Sequence, residues 1–167
     1  MQIVFETPRL ILRRFAEKDF GLIRSLNSDP EVVKYLHEAV LTTDEQAKNI
    51  LTNIILPQYK NNLGRWAMYT RSGNEFIGWC GLKSIPERDE IDLGYRLKLS
   101  SWGKDYATEA ARKTIDYGLK QLKISLITGR AHIENIASIR VLEKIGMKFS
   151  REEIVDDVQV RTYTISS

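Results

Sequence analysis

Hydrophobic and polar positions change period several times along the 167-residue chain. Leu10-Ile11-Leu12-Arg13-Arg14-Phe15 alternates and predicts an opening strand. Ala16-Glu17-Lys18-Asp19 starts a first helix, with acids in its first turn. Ser28-Asp29-Pro30-Glu31 predicts a second, a capping residue ahead of Pro at the first helical position. Thr42-Thr43-Asp44-Glu45 opens a third, which runs through Ile50, Ile54 and Ile55 and is expected to stop before Pro57.

Beyond Pro57 the period shifts to that of strands. Arg65 to Thr70 and Glu75 to Leu82 make a hairpin across Arg71-Ser72-Gly73-Asn74, and Ile91 to Leu99 follows as a third strand. A loop over Ser100–Asp105 leads into a helix from Tyr106 to Leu122, with Ala107, Ala111, Ile115, Leu119 and Leu122 on its apolar face. Ser125 to His132 reads as a strand. Asn135 to Ile145 reads as a helix capped by Asn135 and closed by Gly146. Met147–Val155 and Gln159–Ile165 pair across Asp156-Asp157. The order βααα-βββα-βα-ββ implies an α+β fold: a mixed sheet of about seven strands with helices on both faces.

Composition narrows the picture. Apolar residues are 43% and charged residues 28%, the balance of a globular chain rather than a disordered one. No linker, low-complexity tract or repeat divides the sequence, so a single domain over residues 1–167 is expected. The lone Cys80 excludes an internal disulfide framework and a cysteine-based zinc site, and no metal is expected. It favours a reducing, cytoplasmic setting. No apolar run is long enough to cross a bilayer, and Met1–Glu6 lacks the basic region of a signal peptide, so no membrane partner is expected. The net charge of +3 comes from 25 Lys+Arg against 22 Asp+Glu, too slight an excess to imply a nucleic-acid partner.

Two units carry candidate chemistry. The first is the strand, loop and helix from Tyr95 to Ala111. A Gly-containing loop entering a helix presents free N–H groups and the positive end of a dipole, a setting for phosphate or pyrophosphate. It is neither a P-loop nor a dinucleotide fingerprint, since no Gly-Lys-Ser/Thr and no glycine triplet is present. The second is Asn135 to Met147, where Asn135 and Ser138 share one face near a helix start. By itself that pair also reads as a capping Asn and a first-turn Ser.

Taken together, the two units resemble the GNAT superfamily of N-acetyltransferases. The whole chain, from Glu6-Thr7-Pro8-Arg9-Leu10-Ile11-Leu12-Arg13 to the last hairpin, is similar to its RimJ/RimL-like branch, the ribosomal-protein N-terminal acetyltransferases. Trp102-Gly103-Lys104-Asp105-Tyr106-Ala107-Thr108-Glu109-Ala110 matches the branch's Trp-Gly-x-Gly-Tyr-Ala-Thr-Glu-Ala loop, and Asn135 to Met147 matches its Asn-x-x-Ser-x-x-Val-Leu-Glu-Lys-x-Gly-Phe helix.

The resemblance implies a largely antiparallel sheet with one splayed parallel strand pair, and acetyl-CoA bound between the splayed strands at Leu97 and Ser125. It assigns the pantetheine arm to the backbone of Leu97 and Leu99 and to Asn135. The pyrophosphate falls to the N–H groups of Trp102, Gly103, Lys104, Asp105, Tyr106, Ala107 and Thr108. Ser138 sits near the sulfur. Many members carry a Tyr where this chain has Leu142, to protonate the leaving thiolate; Leu142 cannot, so the resemblance gives that role to Ser138. Asp92 stands where a Glu is common and is the candidate base, acting through water, although a solvent-facing strand carboxylate is an equal reading. The expected reaction is direct attack of a primary amine, from a peptide N-terminus or a small molecule, on the thioester. A lysine amine has a pKa of about 10.4 and an α-amine about 7.7–8.0, so an α-amine needs less help from a base.

Asp105 departs from the family's Gly. It implies a left-handed residue, a charge facing the pyrophosphate, and a side chain suited to cap the next helix in competition with phosphate. His37, His132, Tyr35, Trp66 and Trp79 are candidates to line the acceptor groove; Lys104, Arg112, Lys113 and Arg140 are candidates to meet CoA phosphates. A non-catalytic acyl-CoA-binding domain is the alternative function. A nucleic-acid module lacks the clustered Lys/Arg stripe it needs. The sequence allows a monomer or a homodimer.

Overall fold

The computed structural model describes residues 2–36 and 38–167. His37 lies outside the described residues. Strands β1 (Ile3–Glu6), β2 (Leu10–Arg14), β3 (Gly64–Thr70), β4 (Phe76–Ile85), β5 (Glu90–Leu97), β6 (Leu126–His132), β7 (Lys148–Val155) and β8 (Val158–Ser166) form one sheet. Its order is β1-β2-β3-β4-β5-β6-β8-β7, antiparallel throughout except for the parallel pair β5–β6. Helices α1 (Phe20–Asn27), α2 (Asp44–Ile50), α3 (Tyr106–Asp116) and α4 (Ile136–Lys144) complete the α+β fold. Among the described residues, no helix is long and apolar enough to cross a membrane.

The eight-stranded sheet has one strand more than the sequence pattern implies. Strand β1 is four residues at the sheet edge, too short to show a period. It is held by the turn in which Thr7 N–H bonds Leu10 O at 2.9 Å, and by Phe5, whose ring meets those of Trp66 and Tyr117 at 5.8 and 5.6 Å.

Two helix expectations are corrected. Ser28–Glu31 opens isolated turns, not a helix: Val32 N–H bonds Asp29 O and Leu36 N–H bonds Val33 O, while the Asp29 carboxylate accepts from Glu31 N–H. The β-branched pair Val32-Val33 disfavours continuing, and Val33 is buried by the turn instead. Pro57 does not stop the third helical segment. After α2 the chain widens into a π turn over Leu51–Ile55, then tightens into a 3₁₀ turn over Leu56–Asn61 with the proline at its start. There its missing N–H costs nothing. The start of that segment is as expected: Thr43 Oγ1 accepts from Gln46 N–H at 3.2 Å, and Gln46 Oε1 accepts from Thr43 N–H at 3.1 Å.

Helix α3 likewise ends in a π turn, Tyr117–Gln121. Gly118 lets that turn lie on the sheet, because a Cβ there would stand 2.7 Å from the Leu82 side chain. The last hairpin turns on Asp156 and Asp157, both left-handed at φ 51° and 64°, the conformation a two-residue hairpin loop requires.

Candidate active site

Strands β5 and β6 pair only at Asp92–Thr128 and Leu93–Gly129. Beyond these residues β5 runs on to Leu97 and β6 to His132 without further pairing, so the sheet opens toward the C-terminal ends of both strands. This corrects the expected position of the gap. It lies opposite Leu97 at Arg130–His132; Ser125, at the other end of β6, bonds Ser167 N–H at 3.3 Å. Lys98 N–H bonds back to Ile77 O on β4 at 2.8 Å. By strand alternation the backbone groups of Leu97 then face the gap. The Leu97 carbonyl accepts from Trp102 Nε1 at 2.9 Å, and the Leu99 carbonyl accepts from Trp102 N–H at 3.1 Å. Trp102 therefore closes the corner between β5 and α3, and its own N–H is already engaged.

The loop enters α3 through two left-handed residues, Gly103 at φ 75° and Asp105 at φ 63°. Asp105 occupies the cap position without capping: its side chain accepts no bond from the helix. Its carboxylate is 77% exposed and lies 3.6 Å from Lys144 Nζ. The expected competition between an Asp105 cap and phosphate is thus absent, while the left-handed backbone is as expected. The first N–H to find an intrahelical acceptor is that of Glu109, at 3.1 Å from Asp105 O. The N–H groups of Tyr106, Ala107 and Thr108 form the open first turn, at the positive end of the helix dipole.

That turn is anchored from below. Glu109 accepts from Thr7 Oγ1 at 2.5 Å, from Arg9 N–H at 3.0 Å and from Arg9 Nε at 2.8 Å. The Arg9 guanidinium also sits over the Tyr106 ring at 4.4 Å. The Thr-Pro-Arg turn near the N-terminus and the Thr-Glu-Ala of α3 are therefore one structural joint. Lys104, Arg112, Lys113 and Arg140 are all exposed near this region, and Arg112 bonds Lys144 O at 3.1 Å.

Across the gap, Asn135 caps α4: its Oδ1 accepts from Ser138 N–H at 3.2 Å, which leaves its amide N–H₂ to donate. The Ser138 hydroxyl lies 2.7 Å from the Tyr95 hydroxyl, which also reaches Ser138 O at 3.2 Å. Burial holds the Tyr95 phenol well above its ordinary range, against its hydrogen bond with Ser138. Tyr95 was missed by sequence reasoning. The available signal was its place in β5: odd-numbered residues there face the helices, and a phenol on that side needs a polar partner. Leu142 is 1% exposed and belongs to the core.

The even-numbered residues of β5 face the other side. Asp92 keeps a quarter of its side chain exposed, but its Oδ1 is buried without a hydrogen-bond donor, 3.6 Å from Arg130 Nη1. Burial pushes its pKa up to about 7, against the pull of Arg130. Arg130 is itself committed elsewhere: Nη2 donates to both Glu90 oxygens at 2.7 and 3.0 Å, and Nε to Glu153 at 3.3 Å. Burial works against the charged form of Glu153, but the Thr162 hydroxyl and the nearby Arg130 and Arg151 draw it down to about 2. Asp92 thus differs from Glu90 and Glu153, which the arginines hold as charged carboxylates: its Oδ1 has no donor and its pKa is raised.

The groove candidates separate. Trp66 is fully buried against Phe5 and Tyr117 and lines no groove. Trp79 lines a small cavity of about 30 Å³ with Arg65, Gly81, Lys83, Asp92 and Gly94. Tyr35 and His132, their rings 5.3 Å apart, line a separate open groove of about 420 Å³ with Glu134 and Gln159. His132 Nδ1 accepts from Glu134 N–H at 3.0 Å.

The site thus joins a parallel strand pair that opens beside an uncapped helix start to a carboxylate on the opposite face. Comparison with known proteins gives the family. Residues 9–148 match the Acetyltransferase (GNAT) domain, and the chain belongs to that family of acetyltransferases. It is 32% identical over 154 residues to the uncharacterized N-acetyltransferase p20 of Bacillus licheniformis, covering 92% of this chain and 85% of that one. An acetyltransferase (GNAT family) from Bacillus anthracis superposes with a TM-score of 0.83 at 26% identity, over 99% of this chain and 98% of that one. RimL, the ribosomal L7/L12 α-N-protein acetyltransferase solved with coenzyme A, superposes at 0.82 with 16% identity, over 99% and 98%. That last likeness is one of fold.

Proposed function

We propose that the protein transfers the acetyl group of acetyl-CoA to a primary amine, a peptide N-terminal α-amine or a small-molecule amine, by direct attack on the thioester, as in the RimJ/RimL-like branch. The observation that carries this reading is the pairing of an open, uncapped helix start beside the β5–β6 gap with a donorless carboxylate, Asp92, on the acceptor face of the same strand.

The residues present fit the cofactor. The loop from Gly103 through Asp105 and the first-turn N–H groups of Tyr106, Ala107 and Thr108 would hold a pyrophosphate. Leu97, Leu99 and the free amide of Asn135 would hold the pantetheine arm. Acetyl-CoA would supply the acyl group already activated as a thioester. Asp92, with a pKa near 7, is matched to remove a proton from an α-amine, whose own pKa is about 7.7–8.0, directly or through one water. Ser138 would donate its hydroxyl proton toward the sulfur as negative charge develops there, replacing the Tyr that Leu142 does not provide. Tyr95, bonded to Ser138, acts as a positioning residue that fixes the direction of that hydroxyl. Cys80 has no part in this scheme: burial pushes its thiol up to about 12, and a buried reduced thiol suits a cytoplasmic setting.

The test is CoA release from acetyl-CoA across a panel of primary amines, with the acetylated product identified by mass. Turnover that depends on both the amine and Asp92 supports transfer. Saturable acetyl-CoA binding with no amine acetylated would leave a non-catalytic acyl-CoA-binding domain.

A further inference from the structure

The cavity beside Asp92 is lined by two cations against that one carboxylate, more positive charge than an amine would choose. Register sets Arg65 beside Gly81 and Gly94 in one row across β3, β4 and β5, with Trp79 in the next row and Lys83 opposite Asp92 in the row beyond. The Trp79 ring leans over Gly94, where a Cβ would stand 3.2 Å from it. The small cavity among these residues is therefore walled by one aromatic ring, two cations and one carboxylate.

The two guanidiniums at this ring are not alike. Arg96 lies 5.5 Å from the Trp79 centroid and is satisfied: it donates to Asn27 Oδ1 at 2.8 Å and pairs with Glu38 at 3.3 Å. The Arg65 guanidinium lies over the same ring at 4.4 Å, and among the described residues it has neither a hydrogen bond nor a carboxylate within ion-pair distance. Burial and the positive charge of Arg96 pull its pKa down to about 10, against the charges of Glu38 and Asp92. A guanidinium presents five donors in a planar fork, and its natural complement is a carboxylate. An ammonium entering this cavity alone meets Arg65 and Lys83; one that carries its own anion does not add to the positive charge.

We propose that the acceptor is an amine bearing a carboxylate, as in a free amino acid or an acidic peptide N-terminus, and that Arg65 holds that carboxylate while Asp92 faces the amine. The inference rests on the transfer reading above and names its substrate class. Arg65 is thereby a specificity-determining residue.

The experiment compares matched acceptors in the intact protein: glycine against glycinamide, an Asp-Ala amide against an Asn-Ala amide, and spermidine. Rates are normalised to the fraction of neutral amine. The carboxylate-bearing member of at least one pair is expected to be favoured at least tenfold in kcat/KM, and spermidine to be poor. Which pair responds distinguishes an amino acid from an acidic peptide. In Arg65→Gln the preference should collapse to within about twofold, and Arg65→Lys should restore part of it, with acetyl-CoA still raising the unfolding temperature of both variants. Equal rates within both pairs, a preference for spermidine, or a preference that survives Arg65→Gln overturns the proposal.

A second measurement is independent of turnover and of the variants. N-acetylglycine and N-acetylglycinamide are titrated into the wild-type protein loaded with CoA. At least tenfold tighter binding of the carboxylate supports the anion site even if no amine is acetylated, an outcome that would reject the transfer reading alone. Equal binding of the two rejects the anion site.

Discussion

The two sides of strand β5 are built by different means. On the helix side, the proposed cofactor site is made mostly of backbone, the opened strand edge at Leu97 and the first turn of α3, joined by two neighbouring side chains of one helix start, Asn135 and Ser138. On the other side, the proposed acceptor site is made of side chains from separate strands: Arg65 on β3, Trp79 on β4, Asp92 on β5 and Arg130 on β6. Backbone donors at a helix start come with the helix and need only a permissive loop. Side chains on four strands meet only when every register is right, and their charges must then be balanced against burial. The cofactor side is therefore a general device and the acceptor side an individual one.

Five changes break or sharpen that contrast. The largest effect is expected at Asp92. Asp92→Asn should lower kcat/KM by about a thousandfold at pH 8, within the range for loss of a general base. In the wild type, kcat/KM should rise with pH through about 7 as Asp92 loses its proton; the variant should lack that limb. The sign for stability is opposite. A carboxylate whose folded pKa is raised binds its proton more tightly in the native state, so its contribution is lost as pH rises from about 4 to about 7. Asp92→Asn should remove that slope in denaturant melts.

On the helix side, Ser138→Ala should lower kcat by about a hundredfold with little change in acetyl-CoA affinity. Tyr95→Phe should cost roughly tenfold, the scale of one positioning hydrogen bond, mostly in kcat. Equal losses in kcat and in acetyl-CoA affinity would mark Tyr95 as merely structural.

Glu109→Ala tests the joint beneath the cofactor loop. Losing a carboxylate with three donors should destabilise the fold by about 2 kcal/mol, a fall in Tm of roughly 4–8 °C. Acetyl-CoA affinity should fall with it, since the first turn of α3 is no longer held. The smallest effect is expected at Asp105. Asp105→Gly removes a left-handed strain and a charge, and should tighten acetyl-CoA about threefold by calorimetric titration. Weaker binding would show that the Asp105–Lys144 pair holds the loop in shape.

The contrast also explains what was legible in the sequence. The cofactor side was written in two short runs, Trp102–Ala110 and Asn135–Met147, because helix starts and caps are local. The left-handed Asp105 could be foreseen, and its failure to cap follows from it, since a capping side chain needs an extended backbone to reach the first-turn N–H groups; its nearness to Lys144, 39 positions later, could not. Asp92 was found only through the resemblance, and its missing donor depends on Arg130 being drawn away by Glu90 and Glu153. Arg65 carried no signal at all: a strand Arg is ordinarily a surface charge, and only the register beside Gly81 and Gly94 makes it a half-buried one. In the fold, β1 escaped because four residues hold no period. The Ser28 turn and the Pro57 segment misled because capping signals start a helix only if the following residues sustain it, and because a proline stops only a helix that needs its N–H.

The central claim is that the gap between β5 and β6, with the start of α3, is a working acetyl-CoA site. It is tested most directly by thermal unfolding of the protein at rising acetyl-CoA. A ligand at a hundred times its Kd adds about 2.7 kcal/mol to stability, which for a chain of this size is roughly 5–10 °C. The account predicts a saturating rise of that order. An unchanged unfolding temperature at millimolar acetyl-CoA would contradict it.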